Sequence, residues 1–240
     1  MDYSYIDDNY NRIMRDVYDA VEKSPSKKEP TVLVAIKSAE LCEIEYLCSK
    51  YGVKDVGENR VQQLLERYDS LREMGLNVHF IGSLQTNKVK YIIDKVSMIH
   101  SLDRLSLAEE IDRQARKHGL VMDVLVEINS GREESKGGVL PEDVEDFCRK
   151  IAEFEGIKLR GFMTMAPKCE KNEQYLKYFC ETYQLVLDIW QKKIHNIDIP
   201  IISMGMSDSF VPAIIVGSNM VRIGRGMFNK KMYNKKEGWN

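Results

Sequence analysis

Four stretches of the sequence carry side chains suited to chemistry. Lys37 directly follows the apolar run Val32-Leu33-Val34-Ala35-Ile36. Ser203-Met204-Gly205-Met206-Ser207-Asp208-Ser209 gathers hydroxyls and small residues ahead of an apolar helical pattern. Gly224-Arg225-Gly226 closes the last apolar run of the chain, and Arg222 stands inside that run. A lysine at a strand end either snorkels its ammonium into water or acts as an amine nucleophile. Partial burial favours the second role, because the charged form loses hydration and the free amine can attack a carbonyl to give a Schiff base. The hydroxyl cluster offers an anion backbone N–H groups, O–H donors and the positive end of a helix. Capping by Ser207 or Asp208 explains one of its members and leaves the rest. The glycines near 224 let the backbone approach a ligand closely. Arg222 is costly unless it pairs with an internal carboxylate or faces a ligand. A phosphorylated carbonyl compound held through an imine fits all four.

Positioning these residues requires elements that bring them to one place. Strands are expected at Val32–Ile36, Asp55–Val56, Val78–Ile81, Ser97–His100, Val124–Ile128, Lys158–Phe162, Ile199–Ile202 and Met220–Ile223. Helical patterns fall at 40–51, through Val61, Leu64, Leu65 and Tyr68, and near 86–95, 104–118, 141–154, 172–193 and 208–216. Short apolar runs alternating with helices give parallel strands joined by right-handed crossovers. Eight such units in 240 residues argue for an α/β fold, a single (β/α)8 TIM-type barrel, over an open sheet. An extra helix, Tyr5 to Val21, precedes the first strand. The expected organisation is one domain over 1–240: a helix at about 5–22, the barrel at about 31–228 and a short tail at 229–240. In such a barrel, active residues stand at the C-terminal ends of the strands, with phosphate sites after strands seven and eight. Lys37, the serine cluster and Gly224-Arg225-Gly226 all meet that expectation. Further polar loops follow strand two (Gly57-Glu58-Asn59), strand three (Gly82 to Lys88), strand five (Asn129 to Gly138) and strand six (Met163 to Pro167).

Composition excludes several classes. Hydrophobic residues make up 43% of the chain and charged residues 30%, which rules out disorder of the whole chain. Thirty-five basic against 37 acidic residues give a net charge of −2, so the electrostatic footprint of a nucleic-acid binder is missing. Lys27-Lys28, Lys230-Lys231 and Lys235-Lys236 are isolated pairs. The polar, acidic start lacks the features of a secretory signal. The longest apolar stretches, such as Ile199 to Met206, are too short to cross a bilayer. Cys42, Cys48, Cys148, Cys169 and Cys180 are odd in number and form no CxxC pair, and reduced thiols in a cytoplasmic protein are the expectation.

With these residues in view, the sequence resembles the pyridoxal phosphate homeostasis proteins. The stretches that carry the likeness are VLVAIKSAE, DVGENRVQQLLERY, VHFIGSLQTNK, IHSLDRLSLAEEI, VLVEINSGREESKGG, LRGFMTMAP, ISMGMSDSF and AIIVGSNMVRIGRGMF, in order from about residue 31 to 228. The resemblance implies a barrel like the N-terminal domain of alanine racemase, carrying pyridoxal 5′-phosphate (PLP) covalently on a lysine that falls on Lys37. By the same likeness Ser203, Gly224 and Arg225 hold the phosphate, the last two through backbone N–H groups. Arg222 matches an arginine that faces the pyridine nitrogen in related racemases, and Asn59 and Met165 line the cofactor. Lys136 matches a lysine of the family motif. A guanidinium beside that nitrogen leaves the ring unprotonated and a weaker electron sink. Three positions depart from the usual wording: Ser38-Ala39-Glu40 after Lys37, Ser83 after Gly82, and Asn219.

Two function classes follow from the resemblance. One is a monomeric PLP carrier in intracellular homeostasis that passes the cofactor to apo-enzymes and has no efficient catalysis of its own. The other is a PLP-dependent amino-acid racemase. Racemisation by the alanine racemase route needs a tyrosine from a second domain, and Asn229 to Asn240 is too short to supply one, so the carrier is expected. A third reading keeps Lys37 in a class I aldolase-like barrel acting on a sugar phosphate, with Glu58 or Asp208 as acid or base, and leaves Arg222 without a role.

Overall fold

Side-chain alternation along short parallel strands decides the architecture. In the computed structural model, which describes residues 2–133, 136–194 and 199–230, the chain begins with helix α1 (Ser4–Lys23). There follow β1 (Thr31–Ala35), α2 (Leu41–Tyr51), β2 (Asp55–Glu58), α3 (Val61–Glu73), β3 (Asn77–Phe80), β4 (Met98–Leu102) and α4 (Leu105–Lys117). The second half runs β5 (Met122–Ile128), α5 (Val144–Ile151), β6 (Ile157–Thr164), α6 (Asn172–Gln191), β7 (Ile201–Met206), α7 (Phe210–Val216), β8 (Met220–Ile223) and α8 (Arg225–Phe228). The strands pair in parallel in sequence order, and β8 closes on β1 through Thr31↔Met220 to Val34↔Ile223, giving a closed barrel. The expected eight-stranded barrel with an extra N-terminal helix is therefore found.

Period-two patterning sorts each strand into two faces. Val34, Val56, Val78, Phe80, Ile99, Val124, Val126, Phe162, Ile202, Met204, Val221 and Ile223 join the large core between strands and helices. The intervening residues fill the barrel: Leu33, Ile81 and Met220 in one apolar group, Met98, Leu125 and Met163 in another, with Ile201 against both. Helix α1 is amphipathic, burying Ile6, Ile13, Val17, Ala20 and Val21, and it lies against α7 and α8. Asp7 accepts hydrogen bonds from Tyr46 and Tyr51 of α2 at 2.8–2.9 Å, which ties the helix to the outer ring.

Several expected boundaries shift. Residues 86–95 contain a 3-10 helix, Thr86–Tyr91, in place of an α-helix. Val89, Ile92 and Ile93 are buried as the spacing required, but the i, i+3, i+4 pattern does not separate the two helix types. The 141–154 helix begins as a 3-10 turn at Pro141–Asp143 and is α-helical over Val144–Ile151. The largest shift is at β7, expected at Ile199–Ile202 and found at Ile201–Met206, while Ile199 is exposed. Ser203 and Gly205 had marked a loop by composition, yet they lie in the strand.

Candidate functional site

The backbone around Lys37 is held firmly while its side chain is left out. Ile36 N–H donates to Gly57 O at 2.9 Å, Arg67 Nη1 donates to Ile36 O at 3.0 Å, and Gln63 Nε2 donates to Lys37 O at 2.8 Å. Ile36 is buried on the helix side, so Lys37 returns to the inward parity of Leu33 and Ala35, just beyond the end of β1. The partial burial expected for Lys37 is not found: the residue is exposed. Among the described residues its ammonium has no hydrogen-bond or ion-pair partner.

Below that mouth, the barrel interior above the apolar groups is polar. Arg222, 4% exposed, donates from Nη1 to Ser203 O at 2.7 Å and to Ser203 Oγ at 2.8 Å, and from Nη2 to Thr164 O at 2.9 Å. Neither of the two simple readings of Arg222 is complete. Carbonyl and hydroxyl oxygens are its hydrogen-bond partners, and Glu127 supplies an electrostatic partner. Burial lowers the Arg222 pKa to about 10, against the pull of Glu127, which leaves it charged at neutral pH. Glu127, 6% exposed on β5, is pushed up to about 7, first by burial and then by the Asp103 charge, with Arg222 opposing.

The loops after β7 and β8 form one lip. Ser207 Oγ accepts the Gly226 N–H at 3.0 Å, and the exposed Arg225 guanidinium pairs with Asp208. Gly205, at φ +94°, turns β7 against α7, where a Cβ would stand 2.6 Å from Ala213 Cβ. A Cβ on Gly224 would lie 2.6 Å from Ala35 O. This glycine is therefore required by strand packing, and it draws the β8 loop onto the end of β1, two residues before Lys37. The structure thus brings Lys37, Gly224, Arg225 and Arg222 to one end of the barrel.

The remaining expected residues are placed less uniformly. Ser203 is fully buried, with its hydroxyl committed to Arg222, whereas Ser207 sits in the lip. Asn59 follows β2 and its carbonyl crowds Gly82, whose hypothetical Cβ would be 2.1 Å away. Met165 follows β6 and is 36% exposed, offering apolar surface at that strand end. Lys136 is ion-paired with Glu133. Tyr233, in the tail, lies outside the described residues. Glu58, offered as an aldolase acid or base, is fully buried and accepts the Asn59 and Arg60 N–H groups at 2.7 and 3.3 Å, a loop-anchoring role. Burial raises its pKa. Sequence reading missed His79, His100, Glu127 and Thr164. The available signal for His79, His100 and Glu127 was their inward parity on β3 to β5, since a polar residue facing a barrel interior needs a partner there. Thr164 takes part through its backbone carbonyl, which no side-chain pattern marks.

Against known proteins, the alanine racemase N-terminal domain family matches residues 6–231. The pyridoxal phosphate homeostasis protein of Aquifex aeolicus is 39% identical over 93% of this chain and 97% of its own. A solved structure of an unknown protein from Bifidobacterium adolescentis has a TM-score of 0.87 at 29% identity, covering 95% of this chain and 97% of that one. PipY of Synechococcus elongatus, solved with PLP bound, has a TM-score of 0.76 at 23% identity, covering 88% of this chain and all of its own; at that identity the likeness is one of fold. Among the described residues no helix is long and apolar enough to cross a membrane.

Proposed function

Because the chain belongs to the pyridoxal phosphate homeostasis protein family, built on the alanine racemase N-terminal domain, we propose that it binds PLP covalently at Lys37 and keeps the cofactor available to apo-enzymes in the cytoplasm, as a monomer. The observation that carries this reading is the exposed Lys37 amine, with no partner among the described residues, on a firmly held backbone beside the Gly224 lip and above buried Arg222. When bound, the cofactor would supply an aldehyde for covalent attachment to the Lys37 amine.

The donor set fits such a ligand. Ser207 Oγ and the Gly224 and Arg225 N–H groups hold its phosphate at the lip. Ser203, expected as a phosphate contact, acts through Arg222, because its hydroxyl is buried beneath the guanidinium. Arg222 would face the pyridine nitrogen and, remaining charged, would take no proton from it. Asn59 and Met165 flank the ring, and Lys136, neutralised by Glu133, stands at the β5 loop. Exposure of Lys37 gives water access to the covalent link. Catalysis that depends on exclusion of water is poorly served by this arrangement, whereas reversible loading and release are well served.

The test pairs two assays on protein loaded with PLP. In the first, an apo-form PLP enzyme is added and its recovered activity reports transfer. In the second, L- and D-amino acids are supplied and their enantiomers are separated by chiral chromatography. Transfer without turnover supports the proposal. Racemisation at enzyme-like rates, on the order of 1–10³ s⁻¹, overturns it in favour of the racemase reading.

A further inference from the structure

The mechanism above leaves two buried imidazoles unexplained. His79 on β3 and His100 on β4 are 5% and 0% exposed, and both face the barrel interior. His79 Nδ1 lies 2.9 Å from His100 Nε2, and His100 Nδ1 lies 3.5 Å from Ser203 Oγ. At the other end, His79 Nε2 is 3.5 Å from Asp55 Oδ1, on the first residue of β2. Asp55 is partly exposed and also accepts from Asn77 Nδ2 at 3.1 Å. A line of polar atoms therefore runs through the barrel from Asp55 to Arg222.

With both rings neutral, one arrangement of protons satisfies this line. The guanidinium is a donor alone, so Ser203 Oγ must accept from Nη1. The buried Ser203 hydroxyl keeps one proton to donate, and His100 Nδ1, 3.5 Å away, is the acceptor that meets it with a lone pair. His100 consequently carries its proton on Nε2 and donates to His79 Nδ1. His79 in turn carries its proton on Nε2, facing the Asp55 carboxylate. Each alternative tautomer sets two donors or two acceptors against each other in a buried space, where an unmet polar group costs about 1–3 kcal/mol. Burial, with the charge of Arg222, holds His100 well below its ordinary pKa, consistent with a neutral ring.

We infer that His79 and His100 are positioning residues: with Asp55 and Ser203 they form a one-way hydrogen-bond chain that fixes the Arg222 guanidinium beneath the cofactor. The effect on the cofactor rests on the function proposed above, while the chain itself does not. Losing the acceptor at His100 frees the Ser203 hydroxyl to rotate and leaves Nη1 with a less ordered partner. Asparagine at position 100 places a carbonyl oxygen near the position of Nδ1, so His100→Asn retains the acceptor and His100→Leu removes it.

Two measurements test the inference. Long-range 1H–15N correlation spectra of the protein without added cofactor report the tautomer of each of its four histidines, with His79 and His100 assigned through their substitutions. Each of the two rings is expected to carry its proton on Nε2 and a lone pair on Nδ1. A proton on Nδ1 of either ring overturns the chain. The second measurement compares PLP-loaded wild type, His100→Leu and His100→Asn. His100→Leu is expected to shift the visible absorption band and to release PLP about tenfold faster, the weight of one buried hydrogen bond, and His100→Asn to restore both. A wild-type spectrum in His100→Leu, or no rescue by His100→Asn, overturns the positioning role. If wild type binds no PLP, the proposed function falls and the tautomers still decide the hydrogen-bond chain.

Discussion

Glu127→Gln isolates the electrostatics of the barrel interior. The buried carboxyl, repelled by Asp103, has its pKa raised from an ordinary 4.5 to about 7 despite the attraction of Arg222. The folded state therefore binds this proton more tightly than the unfolded chain does. That stabilisation is fully present below the unfolded pKa of 4.5 and is lost as pH rises through about 7. A shift of this size corresponds to about 3 kcal/mol. Glutamine keeps the shape and does not titrate, but it removes the counter-charge that ionised Glu127 gives Arg222 above about pH 7. The informative quantity is thus the change with pH in the stability difference between the two proteins. Urea denaturation of both across about pH 5 to about pH 8 should show wild type losing roughly 2–3 kcal/mol relative to Glu127→Gln. Titrations common to both proteins cancel in that difference. A pH-independent difference would refute the reasoning, because Glu127 would then titrate alike in folded and unfolded chains.

Arg222→Met should cost about 3–5 kcal/mol in the same assay, because Ser203 O and Thr164 O are left buried without their donor. Arg222→Lys should recover less than half of that loss, since one ammonium cannot span oxygens that the planar guanidinium bridges. A cost below about 1 kcal/mol for Arg222→Met would contradict the buried network. Gly161, at φ +151° on β6, has Ile201 O 2.0 Å from the position of a Cβ. Gly161→Ala should lower stability by roughly 2 kcal/mol or more, read as thermal melting, and an unchanged melting temperature would contradict the β6–β7 register.

The barrel and its mouth were legible because both rest on strong local signals. Apolar runs such as Val32–Ile36 mark strands covered on both faces, and parallel crossovers then leave few alternatives. Lys37, Gly224 and Arg225 followed from position at the strand ends. What stayed hidden was the polar interior. Ser203 looked like loop material because serine and glycine are read as turn residues, yet its hydroxyl is needed inside β7 to receive Arg222. His79 and His100 sit in ordinary strand positions, and the parallel pairing of β3 with β4 is what brings His79 Nδ1 within 2.9 Å of His100 Nε2. The exposure of Lys37 was equally hidden, since it depends on the loops around the strand end and not on the residues beside it in sequence. Such pairings between strands leave no local pattern.

The central claim is that Lys37 carries the cofactor. Purified protein incubated with PLP, reduced with borohydride and digested for peptide mass mapping tests it directly. The account predicts a single pyridoxyl adduct on Lys37, and Lys37→Ala should abolish it while keeping weaker, phosphate-anchored binding. An adduct on another lysine, or a protein that takes up no PLP, would contradict it.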